Sequence, residues 1–392
     1  MKVLIISGSD LQWDERVGKQ VDAMATLGSV STISFGKRLP KVSQHWRLRP
    51  DGLTGLEANL SQKAYGVKSR LKGFVLTRGG IWERLYWSRP WVREMRAFAS
   101  EADGFDLVIC NEWDSLPAAR LGLGSDTPII LDCHEYSPGE RSGGFIRYLQ
   151  ARVSEKWTIP NFKAVPDAIT FAGQAVADLY RHRFCLDGFV IKNVSRDNPS
   201  FAELNFSHRV AYVGRAEPNR GIELILEAAG LAPHLDWVLY LISGSSNKYK
   251  KDLQKQVESL RHVDLVFDLE HEELVNELAR HSGVGLAIYP QSSENNSASL
   301  PNKFFDYISG GLAIVFSPTP DMKKINQRYG VGVPLLNETP KGLLSSLQQL
   351  TQDDRIEKFK SGSKLASIQF NWGEESKKLI DLARGVSLER RE

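Results

Sequence analysis

The feature that most constrains this chain is an alternation of short apolar runs with amphipathic stretches, which plays out once, breaks, and starts again. Residues 3–7, 29–35, 105–110, 127–132, 168–172 and 189–192 have strand length and few internal charges. Between the first two, residues 15–27 set Val17, Val21, Met24 and Leu27 at helical spacing and run into Gly28, read as a C-cap. Strands that are apolar on both faces and separated by helices form a parallel sheet covered on both sides. Ligands of such a sheet bind beyond the carboxyl ends of its strands.

The stretch NVSRDNPSFAELNFSH (193–208) has no period and contains Asn-Pro, which marks a linker. The alternation then restarts, with strands expected at 210–213, 237–242, 264–267, 284–288 and 313–316 and helices at 222–229, 249–260 and 272–281. At 392 residues the chain is too long for one core, so two Rossmann-like doubly wound α/β domains facing across a cleft are expected. The boundaries read as 1–195, a linker at 196–208, 209–370, and a terminal segment at 371–392.

Composition narrows the function classes. With 42% apolar and 25% charged residues the chain is an ordinary globular one, and no apolar run reaches the roughly 20 residues that span a bilayer. The first strand is too short to be a secretory signal. Three cysteines without C-x-x-C spacing predict a reduced, cytoplasmic protein. Net charge is only +3, yet residues 63–98 hold nine basic side chains against two acidic ones, interleaved with Trp82, Tyr86, Trp87 and Trp91. That mixture suits either a solvated helical face or a contact with anionic lipid at the inner face of the membrane. No nucleic-acid-binding signature accompanies it, so no nucleic-acid partner is expected.

Three stretches carry chemistry. In YVGRAEPNRGIELILEAA (212–229), Arg215 and Arg220 bracket a turn between a strand and a helix, an arrangement that suits a diphosphate. The alternative is two arginines on a surface turn. Neither a P-loop nor G-x-G-x-x-G is present, which removes the usual support for ATPase or NAD-dependent chemistry. In SENNSASLPNKFFDYISGG (293–311) a small polar run, read as a loop, meets Pro301 and an aromatic helix that stops at two glycines. Lys303 and Asp306 on that helix are either ligand groups or an i,i+3 surface ion pair. In IILDCHEY (129–136) His134 follows a strand end, and the preceding strand end offers Glu112 and Asp114.

These stretches, with LISGSS (241–246) and FNWGEESKKLIDLA (370–383), resemble the retaining glycosyltransferases of the GT-B fold, family four. The resemblance covers most of the chain, most closely 210–385. It implies that Arg215, Arg220 and, through LPNKFFDY (300–307), Lys303 hold the donor diphosphate, with Ser299, Leu300 and the Gly8 of an expected turn Ser7-Gly8-Ser9 against it. Glu294 and His134 take the catalytic positions at the donor sugar, Asp306 the nucleotide ribose, and Gly214 and Gly244 the nucleotide-side loop. Glu294 and Asp306 stand twelve residues apart, wider than is usual in the family, and Asp replaces Glu. DERVGKQ (14–20) adds Asp14 and Arg16 to Glu112, Asp114 and Glu135 as acceptor-side candidates. Segment 371–392 becomes a helix crossing back to the first domain.

The implied partners are a UDP- or GDP-sugar and a hydroxyl acceptor in polysaccharide or glycolipid synthesis. No D-x-D motif is present to bring a bridging cation, so neither metal nor cofactor is expected. Two rival readings stay open, a nucleotide-sugar 2-epimerase and a nucleotide-sugar-binding protein without turnover.

Overall fold

A computed structural model describes residues 1–50, 80–140, 145–196, 209–243, 247–281, 283–352 and 355–389. Gly244 and the basic residues 63–79 lie outside them. The chain folds as two units, Met1–Lys192 with Ser376–Glu392, and Asn193–Glu375.

The first unit is built on strands β1 (Lys2–Asp10), β2 (Ser29–Phe35), β3 (Val42–Arg47), β4 (Leu107–Asn111), β5 (Ile129–Cys133), β6 (Ala168–Phe171) and β7 (Phe189–Val190). All pair in parallel, in the order β3-β2-β1-β4-β5-β6-β7. Val3, Leu4, Ile5 and Ile6 of β1 and Leu107 to Cys110 of β4 are fully buried at its centre. Strand order reverses between β1 and β4, where a parallel sheet opens a crevice.

Two local expectations change here. Ser7-Gly8-Ser9 forms no turn but continues β1, with a register shift between Ile6 and Asp10. Gly8 packs closely there, since a Cβ would meet the Trp91 ring at 3.0 Å. The edge strand β3, VSQHWR, escapes the apolar pattern because only Val42 is buried.

The second unit carries β8 (Val210–Arg215), β9 (Trp237–Ile242), β10 (Val263–Phe267), β11 (Val284–Ala287), β12 (Ala313–Phe316) and β13 (Gly332–Pro334). They too are parallel, in the order β10-β9-β8-β11-β12-β13, with the reversal between β8 and β11. The backbone pairing of those two strands covers only Val210 with Val284 and Ala211 with Gly285. Beyond it the Tyr307 hydroxyl bridges the gap, accepting from Val213 N at 2.8 Å and donating to the Leu286 carbonyl at 3.3 Å. Its ring lies so close over Gly285 that a Cβ there would sit 2.3 Å away. The wedge fixes the rotation of the helix Asn302–Ser309, so that its first turn stands at the carboxyl end of the crevice.

The segment 293–299, expected as a loop, contains the short helix Glu294–Ala298. Ser293 caps it by accepting a hydrogen bond from Asn296 N at 3.1 Å. Residues 193–195 join the second unit, where Trp372 N donates to the Ser195 carbonyl at 3.0 Å.

Candidate active site

In the second unit the functional candidates gather on the loop after β8 and on the helix Asn302–Ser309. Lys303 is only 6% exposed. Its Nζ lies 4.0 Å from the ring centre of Tyr212 and 4.6 Å from that of Tyr289, and donates to the Ile288 carbonyl at 3.2 Å. Burial, and next the Arg220 guanidinium, push the proton affinity of this amine well down, against an upward pull from Asp306. The two ring faces act the other way, by about 0.5–2 kcal/mol each. Arg220 lies over the other part of the same frame, 5.9 Å from the Tyr289 ring centre, and its carbonyl accepts from the Tyr212 hydroxyl at 2.8 Å.

Arg215 and Arg220 share one carboxylate. Glu217 approaches Arg215 Nε at 3.3 Å and Arg220 Nη2 at 3.7 Å. The turn that makes this possible uses Asn219 and Gly221 at positive φ, 63° and 80°, just before the helix Ile222–Leu231. Gly214 at the end of β8 has no room for a Cβ, which would meet the Tyr212 hydroxyl at 2.6 Å. Three basic groups therefore converge on one strand end, Arg215 and Arg220 beside Glu217 and Lys303 between two rings.

Neither Lys303 nor Asp306 is a surface group. Asp306 is 3% exposed, and its Oδ1 accepts from Ser195 Oγ at 2.7 Å and faces His271 Nε2 at 2.9 Å. Leu300 is buried, while Ser299 ends the short helix and Glu294, at its first position, is exposed. Tyr212, Tyr289, Glu217, Ser195 and His271 were not legible as site residues. No sequence motif marks the two tyrosines, and Ser195 and His271 meet Asp306 only through the fold.

The first unit holds a separate polar cluster at the carboxyl ends of β4 and β5. Asp132, inside the apolar run of β5, is fully buried yet accepts from five directions. Arg16 binds it through two nitrogens, Nε at 2.7 Å and Nη2 at 2.6 Å, while Gln20 Nε2 and Thr170 Oγ1 each approach to 2.5 Å. His134 Nε2 completes the set at 3.0 Å. Burial opposes ionisation of Asp132, but Arg16 and then His134 outweigh it and hold the carboxyl far below its ordinary range. Arg16 also donates to the Ile191 carbonyl at 2.9 Å, so this acceptor-side candidate is consumed inside the unit.

His134 itself keeps a fifth of its side-chain surface open. Burial lowers the ring's proton affinity, yet Asp132 and then Glu112 reverse the balance and raise it to about 9. Glu112 sits at φ 64°, a left-handed conformation unusual for a residue with a side chain. Its Oε1 accepts from the backbone N–H groups of His134 at 2.7 Å and Glu135 at 3.1 Å, and its Oε2 from Ser137 Oγ at 3.1 Å. Burial raises this carboxyl to about 7, with His134 pulling the other way. Asp14 caps the helix Glu15–Ala25 by accepting from Val17 N at 3.1 Å. Asp114 takes the Arg89 guanidinium at 2.7 and 3.3 Å. Among the described residues no group of three or more acidic, His or Cys side chains could hold a metal ion.

No family model and no curated protein matches this chain. Solved structures do. Sucrose-phosphate synthase from Thermosynechococcus elongatus superposes with a TM-score of 0.69 at 15% identity, covering 98% of this chain and 99% of that one. HepE of Anabaena, in complex with UDP-glucose, gives 0.66 at 13% identity over 98% and 100% of the two chains. The UDP-forming α,α-trehalose-phosphate synthase of Burkholderia vietnamiensis gives 0.64 at 12% identity over 98% and 99%. At such identities the likeness speaks for the fold alone. With its two parallel sheets of seven and six strands, the chain has the GT-B fold.

Proposed function

We propose that the protein is a glycosyltransferase that moves a sugar from a nucleoside-diphosphate donor to a hydroxyl acceptor. The observation that carries this reading is Lys303, an amine buried at a crevice mouth with one carbonyl and two ring faces for company, next to Arg220. A buried amine of this kind takes up its proton when an anion compensates it, and two phosphates suit a lysine set beside two guanidiniums. Uridine is the favoured base, because HepE was crystallised with UDP-glucose and the trehalose-phosphate synthase forms UDP.

In the reaction the bond from the sugar C1 to the diphosphate oxygen breaks, and its electron pair stays with the diphosphate. Arg215, Arg220 and Lys303 stabilise the charge that develops there. The acceptor hydroxyl oxygen forms the new bond to C1 and passes its proton to the departing phosphate. Retention at C1 follows the family resemblance, as do His134 and Glu294 at the donor sugar, while independence of metal follows from the lack of a D-x-D motif. Asp306 would meet the ribose through Oδ2, since Oδ1 serves Ser195 and His271.

A lipid-linked or envelope glycan acceptor is favoured by one surface feature. Ile81, Phe145, Ile146 and Tyr148 are 64, 73, 72 and 41% exposed, on two helices that pack together, Gly80–Trp87 and Phe145–Val153. Arg84 and Arg147 accompany them, a composition suited to an anionic bilayer surface at the inner face of the membrane. No helix among the described residues is long and apolar enough to cross the bilayer.

The test is to incubate the full chain with UDP- and GDP-sugars, with and without lipid-linked acceptors, and to follow free nucleoside diphosphate and the anomeric proton of the product. Release that depends on an acceptor, with an axial donor giving an axial product, is expected. Release without acceptor, accompanied by a 2-epimer, would favour the epimerase instead.

A further inference from the structure

The polar cluster of the first unit has a direction, and it can be followed atom by atom. Arg16 and Thr170 surround Asp132 with donors, so its carboxylate is ionised and can only accept. Gln20 faces it at 2.5 Å and must therefore present its NH2. That turns the Gln20 carbonyl towards Asn111, whose Nδ2 donates to it at 2.9 Å and to the Ile6 carbonyl at 3.4 Å. Asn111 is left with Oδ1 facing His134 Nε2 at 2.8 Å. His134 Nε2 thus meets two oxygens that only accept, Asn111 Oδ1 and Asp132 Oδ2 at 3.0 Å.

We propose that Asp132, Gln20 and Asn111 are positioning residues that keep Nε2 of His134 protonated at all times, so that Nδ1 is the nitrogen a ligand meets. While the ring is an imidazolium, Nδ1 also carries a proton and donates it to a ligand oxygen, so the ring does not act as a general base there. The charged groups around it agree, with Asp132 on β5, Glu112 after β4, and Asp14 at the start of the helix Glu15–Ala25 all favouring the imidazolium. Only the identity of the oxygen, on the diphosphate or on the sugar, rests on the glycosyltransferase reading. The hydrogen-bond relay stands without it.

Imidazole nitrogen NMR on the full chain tests this. The chain has eight histidines, and His134→Gln assigns the resonance by its loss. The Nε2–H form is expected on both sides of the titration, with a midpoint well above the ordinary value of about 6.5. Asp132→Asn should lower that midpoint by at least about one pH unit, and Asn111→Ala, which leaves the Arg16–Asp132 pair intact, by a smaller step. A neutral ring with its proton on Nδ1 above the midpoint, a midpoint near 6.5, or a midpoint that neither variant moves would overturn the proposal. A shift of the Nδ1 signal on adding UDP identifies a phosphate oxygen, and a shift with UDP-glucose alone a sugar oxygen. If both nucleotides raise the melting temperature and neither moves Nδ1, the ligand half of the proposal fails. If neither nucleotide binds, the transferase reading fails while the relay result is unaffected.

Discussion

Replacing Lys303 with Met separates what this side chain costs the fold from what it gives a ligand. In the unfolded chain the amine has its ordinary affinity for a proton, and in the fold that affinity is pushed well down by burial and Arg220. The unfolded state therefore binds more protons between the folded-state midpoint and about pH 10.4, and wild-type stability rises with pH across that window. The slope from one such group is up to about 1.4 kcal/mol per pH unit. Met fills a similar volume without a charge, so at pH 7 the variant should be more stable by about 1–4 kcal/mol, as when buried ionic groups yield to apolar ones. The advantage should shrink as the pH rises. Urea unfolding of both proteins at a series of pH values reads the difference directly. The same substitution should weaken UDP about 10- to 150-fold, the equivalent of one charged hydrogen bond at about 1.5–3 kcal/mol. UDP affinity in the wild type should rise as the pH falls, because the phosphates pull a proton onto the amine. A stability difference independent of pH, together with unchanged UDP affinity, would refute the reasoning. A variant destabilised at pH 7 would show that the cage of Tyr212 and Tyr289 holds a structural cation.

Three other perturbations follow from the packing. Arg16→Ala leaves the Asp132 carboxylate buried without its main partner and should cost about 3–5 kcal/mol in chemical denaturation, with the double change Arg16→Met, Asp132→Leu recovering much of it. Gly285→Ala drives a Cβ into the Tyr307 ring, so it should cost about 1–3 kcal/mol and weaken nucleotide binding, because Lys303 rides on the same helix. The pair Phe145→Ser, Ile146→Ser should abolish co-sedimentation with anionic vesicles while leaving the unfolding free energy within about 0.5 kcal/mol per site. Loss of a dimer in place of loss of vesicle binding would assign that patch to a second copy of the chain.

The sheets were legible because burial on both faces writes itself as uninterrupted apolar runs. The runs at 29–35, 237–242 and 313–316 match β2, β9 and β12 end to end. β13 was missed because three residues carry no period, and β3 because an edge strand buries little. The site was legible where chemistry is local. Arg215, Arg220 and Lys303 stand out beside turns and helix starts in the sequence itself, and the fold brings all three to the end of one crevice. What stayed hidden is what folding alone creates. The aromatic cage of Lys303 needs Tyr212 from β8 and Tyr289 from beyond β11, more than seventy residues apart in the sequence. The relay from Asp132 to His134 runs through Gln20 on a helix and Asn111 on another strand. Arg16 illustrates the same limit. The family resemblance set it on the acceptor side, and only the register of β5 and β6 reveals a carboxylate and a threonine beneath it.

The most direct test of the diphosphate site is a thermal-stabilisation series with UDP, GDP, uridine and guanosine, on the wild type and on Arg220→Ala. A nucleotide at 100 times its dissociation constant should add about 2.7 kcal/mol of stability. The account predicts stabilisation by UDP, little by uridine, and loss of the UDP effect in Arg220→Ala. Equal stabilisation by UDP and uridine, or a UDP effect untouched by the substitution, would contradict a diphosphate held by Arg215, Arg220 and Lys303.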